Sequence, residues 1–283
     1  MATENKETDG TDHKDSQIIR RLEAQVDPKW ADSILLGCFY CSGLIDSMAF
    51  NMYGCFVSMQ TGNTIFIGLG VNGQPDSAPR YSWSKSLSAV LCFALGALFF
   101  STFHRFFGAQ KRWVLITSFA IQALLIGIVA VIATIRAIEN HPPVVVTAKD
   151  SGFLTFTLPS SFPGSDFGPI ALLAFQSAGQ IVASRALKYN AIPTVVLTSL
   201  YCDLMSDAQL FTAPLGENPD RNRRFLGAVL LLAGAISGAY LTKLDAGFMG
   251  GLWIGFSLKV VMALAWFMWR EKKGGEKRKR CGM

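Results

Sequence analysis

Eight apolar runs punctuate the chain, at residues 31–53, 55–71, 86–107, 113–135, 168–188, 192–211, 223–243 and 249–269. Their lengths match the roughly 17–25 residues that a helix needs to cross a bilayer. The runs are continuous and do not alternate, which predicts helices and disfavours a β-barrel. Lipid offers no partner to an open backbone, so such stretches must be helical. Trp30, Trp83, Trp113 and Trp269 fall at run ends, where an interfacial aromatic belt would place them. Short turn-rich segments separate the runs, with Gly73, Pro75 and Pro79 in one and Pro214, Gly216 and Pro219 in another. The longest connection, 136–167, carries His141-Pro142-Pro143 and divides the chain into halves. The expected fold is therefore all-α: a polytopic helical membrane protein of about eight hydrophobic segments in two related halves. Its expected layout is a largely disordered tail (1–30), one membrane domain (31–270) with half-repeats 31–135 and 168–269 around linker 136–167, and a polybasic tail (271–283).

The halves relate by an offset of 137, which carries 31–53 onto 168–190, 55–71 onto 192–208, 86–107 onto 223–244 and 113–135 onto 250–272. Thr61 then falls on Thr198, and Gln122 on Lys259. Internal repeats recur in transporter folds, whose binding sites lie where the repeats meet. Segments 55–71 and 192–211 are short or polar, so the span count has two solutions. If both cross, eight spans form two parallel repeats. If both are re-entrant, six spans form two inverted repeats. Length favours eight, because 17–20 apolar residues suffice to cross.

Composition sharpens this picture. Hydrophobic residues make up 51% of the chain and charged ones 16%, with mean hydropathy +0.33; a soluble domain carries about 25% charged residues. The net charge of +6 comes mostly from the last 14 residues, which contribute +5. That tail follows the last apolar run directly, so the basic balance reads as a topological anchor and excludes a nucleic-acid partner. The bilayer itself is the expected partner, with both termini cytosolic under the positive-inside rule. No apolar leader precedes residue 30.

Against this background a few polar residues stand out. Asp46 sits in an otherwise uncharged run from Ser33 to Val71, followed by Gln60, Thr61, Gly62 and Asn63. A charge at the bilayer centre costs roughly 2.5–3.5 kcal/mol on insertion scales, so such a residue faces the bundle interior and finds a partner. Gly62 is expected to break the helix there. Amide and hydroxyl groups around a broken helix can hold an ion or a small polar solute, or can bond across helices as packing glue. Away from the run ends, where Arg105 and Arg185 would snorkel to the interface, Asp203, Asp207 and Lys259 are further ionisable groups in apolar runs, and Asp46 or Asp203 paired with Lys259 would neutralise both. The candidate site is Asp46, Gln60, Thr61, Asn63, Asp203 and Lys259. Cys38-x-x-Cys41 has redox or metal-ligand spacing but stands alone inside an apolar run and reads as packing. Only His13, His104 and His141 are present, and neither a P-loop nor a dinucleotide fingerprint occurs. No metal, cofactor or catalytic role is expected.

At Gly43-Leu-Ile-Asp46 and Phe56-Val-Ser-Met-Gln60-Thr61-Gly62-Asn63 the sequence resembles the YoaK-type family of multi-pass membrane proteins, a domain of unknown function. The resemblance covers about 31–270. Where the family shows Gly-x-Gln-Asn and a second Thr-Gly, this chain has Gly179-Gln180 and Thr198-Ser199. The resemblance implies class and location but no activity. The expected function is binding or transport of a small solute or ion through a polar intramembrane site; the alternative is a membrane scaffold.

Overall fold

The computed structural model describes residues 17, 19–74, 82–136, 145–148, 154–157, 166–189, 191–244 and 247–272. Of the expected tails, residues 1–16, 18 and 273–283 lie outside these, as do most of linker 136–167 and its Pro-rich stretch. After helical residues 19–23, eight longer elements follow in order among the described residues: α1 (Asp32–Tyr53), α2 (Gln60–Val71), α3 (Trp83–Phe107), α4 (Arg112–Arg136), α5 (Phe167–Ala186), α6 (Leu197–Met205), α7 (Pro219–Leu241) and α8 (Gly247–Met268). The strands among the described residues are a linker hairpin, β1 (Val145–Ala148) antiparallel to β2 (Leu154–Thr157).

Among the described residues six helices are long and apolar enough to cross a membrane: α1, α3, α4, α5, α7 and α8. At 12 and nine residues, α2 and α6 reach about 18 and 14 Å, well short of a hydrocarbon core of about 30 Å. The preference for eight crossings therefore gives way to six. Segments 55–71 and 192–211 are each spent partly on extended backbone, which length and hydropathy alone do not reveal. Gly54 supplies one break. It caps α1 at φ 72, a left-handed conformation that glycine adopts without a Cβ penalty.

Helix pairing obeys the exchange of halves. The most extensive contact is α1 with α7, and its counterpart under the exchange is α3 with α5. Helix α4 packs on α8, its own counterpart. Burial follows the same rule: in their most apolar stretches α1 and α5 are 67% and 61% buried, whereas α3 and α7 are both 22% buried. Helices α4 and α8 run antiparallel, since Phe119 meets Trp266 while Thr134 meets Trp253. A two-fold relating antiparallel helices lies across them, so the repeats are inverted. Gln122 and Lys259, equivalent under the offset of 137, touch at 2.8 Å and so mark the axis.

Close approach fixes the α1–α7 pair. A Cβ on Gly43 would overlap the Leu231 carbonyl, and one on Gly234 would overlap the Tyr40 carbonyl. Small residues at these points let two backbones touch, as interhelical packing in lipid favours. On the terminal face, where α1 begins and α8 ends, Arg112 is buried. It donates to the carbonyls of Arg21 (2.7 Å) and Trp269 (2.6 Å) and pairs with Glu271 at 3.3 Å. The backbone of 24–27 thereby threads between 110–112 and 270–272.

Candidate functional site

The two segments with short helices are re-entrant. After α1 ends at Tyr53 on the far face, the chain turns back to place Val57 and Ser58 beside Asp46, about two helical turns below Tyr53. Helix α2 then returns to the far face, where Gly70 lies against Trp83. In the second half the chain leaves α5 at Ala186 on the terminal face and dips in, so that the Thr194 carbonyl accepts from Ser42 Oγ (3.2 Å) midway along α1. Helix α6 then returns to the terminal face, where Asp207 meets Arg224 at 3.9 Å. Two extended tips thus enter from opposite faces and meet near mid-depth.

Asp46, Gln60 and Asn63 converge on the first tip. Asp46 Oδ1 accepts from the amides of Val57 and Ser58, each at 2.8 Å, and Oδ2 accepts from Ser58 Oγ. Asn63 Oδ1 accepts from the Phe56 amide (2.9 Å), and its Nδ2 donates to the Phe56 carbonyl (2.7 Å) and to Gln60 Oε1 (2.9 Å). Gln60 Nε2 donates to the Val57 carbonyl at 2.9 Å. These three side chains therefore satisfy the backbone that unwinding exposed, which lipid could not do.

The other candidates lie elsewhere. Thr61 is exposed on the outer side of α2. Gly62 does not break the helix; it lies in the first turn of α2, where its missing Cβ makes room for the Phe56 ring. The break falls at 54–59 instead, since glycine fits equally inside a helix when a neighbour needs its space. Asp203 is exposed on α6. Asp207 anchors a loop, accepting from Asn218 Nδ2 (3.0 Å) and the Gln209 amide (2.9 Å); the Asn218 bonds above all hold its carboxyl below the usual carboxylate range.

Lys259 is fully buried on the pseudo-two-fold axis. Its Nζ donates to Gln122 Oε1 (2.8 Å) and Gln180 Oε1 (2.7 Å), with Cys38 Sγ at 3.9 Å and the Phe119 ring centroid at 5.3 Å. The expected pairing with Asp46 or Asp203 is not formed; among the described residues no carboxylate lies within ion-pair distance of Lys259. Acid and base are instead joined through a polar wall. Ser58 touches Asp46, while Gln180 bridges Lys259 to Ser42.

Between these walls lies a cavity of about 10 Å³ lined by Ser42, Ser58, Gln176, Ser177 and Gln180, with Cys41, Ile45 and Val57. That is room for about one water. The serine hydroxyl hydrogens are committed: Ser42 to the Thr194 carbonyl, Ser58 to Asp46, and Ser177 to the Val57 or Ala174 carbonyl. Buried Gln176 Oε1 has no partner. The lining therefore presents lone pairs and suits a small guest that donates hydrogen bonds or carries positive charge. Thr194, opposite, holds φ 62, and its buried Oγ1 is also unpartnered. For a β-branched residue this backbone is strained by about 1–3 kcal/mol, a condition that collects at functional sites.

Sequence reasoning missed Ser42, Ser58, Gln176, Ser177 and Gln180 as cavity residues. Gln176 and Gln180 carried a signal: two amides four apart share one face of an apolar helix.

Six crossing helices, two inverted halves and a pair of re-entrant segments meeting inside define a multi-pass helical membrane protein. The chain belongs to the family described as a protein of unknown function (DUF1275), whose model matches residues 34–265. That range takes in both re-entrant segments, Asp46, the cavity and Lys259. No curated protein and no solved structure matches the chain.

Proposed function

We propose that this protein moves a small ion or polar solute across its membrane through the cavity where the two re-entrant tips meet. The observation that carries the reading is the lining itself: a water-sized cavity at mid-depth bordered by serine and glutamine side chains as well as Cys41, Ile45 and Val57, on the axis between inverted repeats, with a buried acid behind one wall and a buried ammonium behind the other. Inverted repeats, broken helices and a midplane site are the combination from which alternating access is built. The cavity holds about one water, so the conformation described is closed to both faces. Movement would rock one repeat against the other while α4 and α8 hold the axis. Both termini face the cytosol in this reading, because six spans place 20 basic residues on the terminal side and five on the other. No enzymatic step and no cofactor enters it.

A scaffold role has one specific observation behind it. Asp46, Gln60 and Asn63 spend their hydrogen bonds on the protein's own backbone. The two readings part at Gln176. Its side-chain oxygen bonds nothing in the protein, so Gln176→Leu is neutral or stabilising for the fold. Purified protein in liposomes is screened with fluorescent reporters for monovalent cations, protons and small polar solutes. Transport predicts that the flux found for wild type falls at least tenfold in Gln176→Leu with no loss of thermal stability. A flux that survives the change refutes this cavity as the path.

A further inference from the structure

A second site lies outside the cavity, in a crevice of about 660 Å³ between the ends of α3 and α5 on the terminal face, bounded by Leu98, Ser101, His104, Arg105, Val182 and Arg185. Phe103, Phe107 and Trp113 pack ring on ring beside it, a cluster that marks headgroup depth. Arg105 and Arg185 are exposed there. Deeper in, Leu98 continues a lipid-facing stripe with Leu91 and Leu95. The crevice is thus basic at headgroup depth and apolar below.

Two arginines near helix ends would ordinarily only reach for water. Three observations go further. First, the last-turn carbonyls of α5 have other donors, Leu187 N on Ala183, Tyr189 N on Ser184, Lys188 N on Arg185 and Gln110 Nε2 on Ala186, and Gly108 N caps His104 of α3. The negative end of α5 is muted by this capping. Second, His104 is 2% exposed, and its Nδ1 lies 3.2 Å from the Ala109 carbonyl while its Nε2 meets no protein partner. A carbonyl only accepts, so the proton sits on Nδ1 and Nε2 offers a lone pair, which suits a hydroxyl donor. Third, the repeat does not require this chemistry. Arg105 and Arg185 correspond to Thr242 and Met48, and the equivalent α1–α7 seam is closed by glycine contacts.

We infer that the crevice binds one anionic phospholipid with a hydroxyl-bearing headgroup. Its phosphate lies between Arg105 and Arg185, its headgroup hydroxyl reaches toward His104, and an acyl chain runs along Leu98 and Val182. The inference stands apart from transport, since no residue of the cavity takes part.

The test is native mass spectrometry of the full-length protein, released from nanodiscs containing equal phosphatidylglycerol and phosphatidylcholine. Wild type should retain a single phosphatidylglycerol adduct. Arg105→Gln/Arg185→Gln should lose it by about tenfold or more, as the removal of two contacts of about 1 kcal/mol each implies. Ser101→Trp, which fills the crevice and keeps both charges, should lose it as well. Glycerol phosphate at millimolar concentration should not displace the lipid. Equal retention of the two lipids by wild type overturns the site. Adducts undiminished in both variants show annular lipid only, and displacement by glycerol phosphate shows a free-phosphate site; each overturns the proposal.

Discussion

Asp46 is a buried acid that meets no base; it meets amides. Its oxygens take the Val57 and Ser58 N–H groups, and Asn63 clamps both backbone groups of Phe56. Asn63→Ala therefore strands a buried donor and a buried acceptor at about 1–3 kcal/mol each. The thermal midpoint in detergent should drop clearly, by an amount equivalent to about 3 kcal/mol; an unchanged midpoint would show that the first tip needs no clamp. Thr194→Gly should act oppositely. It relieves the positive φ and removes an unpartnered hydroxyl, so the midpoint should rise by the equivalent of about 1 kcal/mol. The sequence singled out Asp46, Gln60 and Asn63 because polar groups in an apolar run demand a partner. It could not name that partner. A backbone that turns back on its own helix leaves no periodic trace, so the sequence offered Asp46 or Asp203 as the partner of Lys259, the basic residue near the middle of an apolar run.

The short helices carry the next level. Residues 55–59 and 192–196 stay out of helix, and each is held by side chains from a crossing helix: Asp46 and Ser177 for the first, Ser42 for the second. Hydropathy sees only that both segments are apolar and long enough, which is why eight spans were favoured over six until the helix lengths were known. Crossing helices pack by contact, and the α1–α7 seam has no room for a side chain at Gly43. Gly43→Leu should prevent folding to a monodisperse species in detergent, whereas Gly68→Leu, where a Cβ meets nothing, should not. Equal behaviour of the two would contradict the close approach. The loop after α6 depends on Asp207. Its folded carboxyl lies below the ordinary value of about 3.9, so the stabilisation it gives is complete above that value and is lost as pH falls through the lowered one. A carboxyl-carbon NMR titration should give a midpoint below that of a free aspartate. Asn218→Ala, which removes the largest cause, should move it upward.

At the scale of the molecule the organising fact is the axis through Gln122 and Lys259. The offset of 137 predicted that these residues correspond, and the structure puts them in contact. Paired burial of α1 with α5 and of α3 with α7 follows from the same exchange. The repeat was legible because insertion spacing survives when residue identity does not. Its hand was not, because parallel and inverted repeats share one spacing and differ only in whether the short segments cross. Everything proposed for function rests on their not crossing: only re-entry from opposite faces brings Ser58 to the cavity and Thr194 to Ser42, which lines it. Cysteine accessibility in sealed vesicles tests this most directly. Single cysteines replace Asn72 and Gln110 in a background lacking the native cysteines, and each is probed with an impermeant maleimide against a tag at the C-terminus. Re-entry predicts that Gln110→Cys is labelled from the face of the tag and Asn72→Cys from the opposite face. Full crossing of both segments reverses the two, and that result would contradict the account.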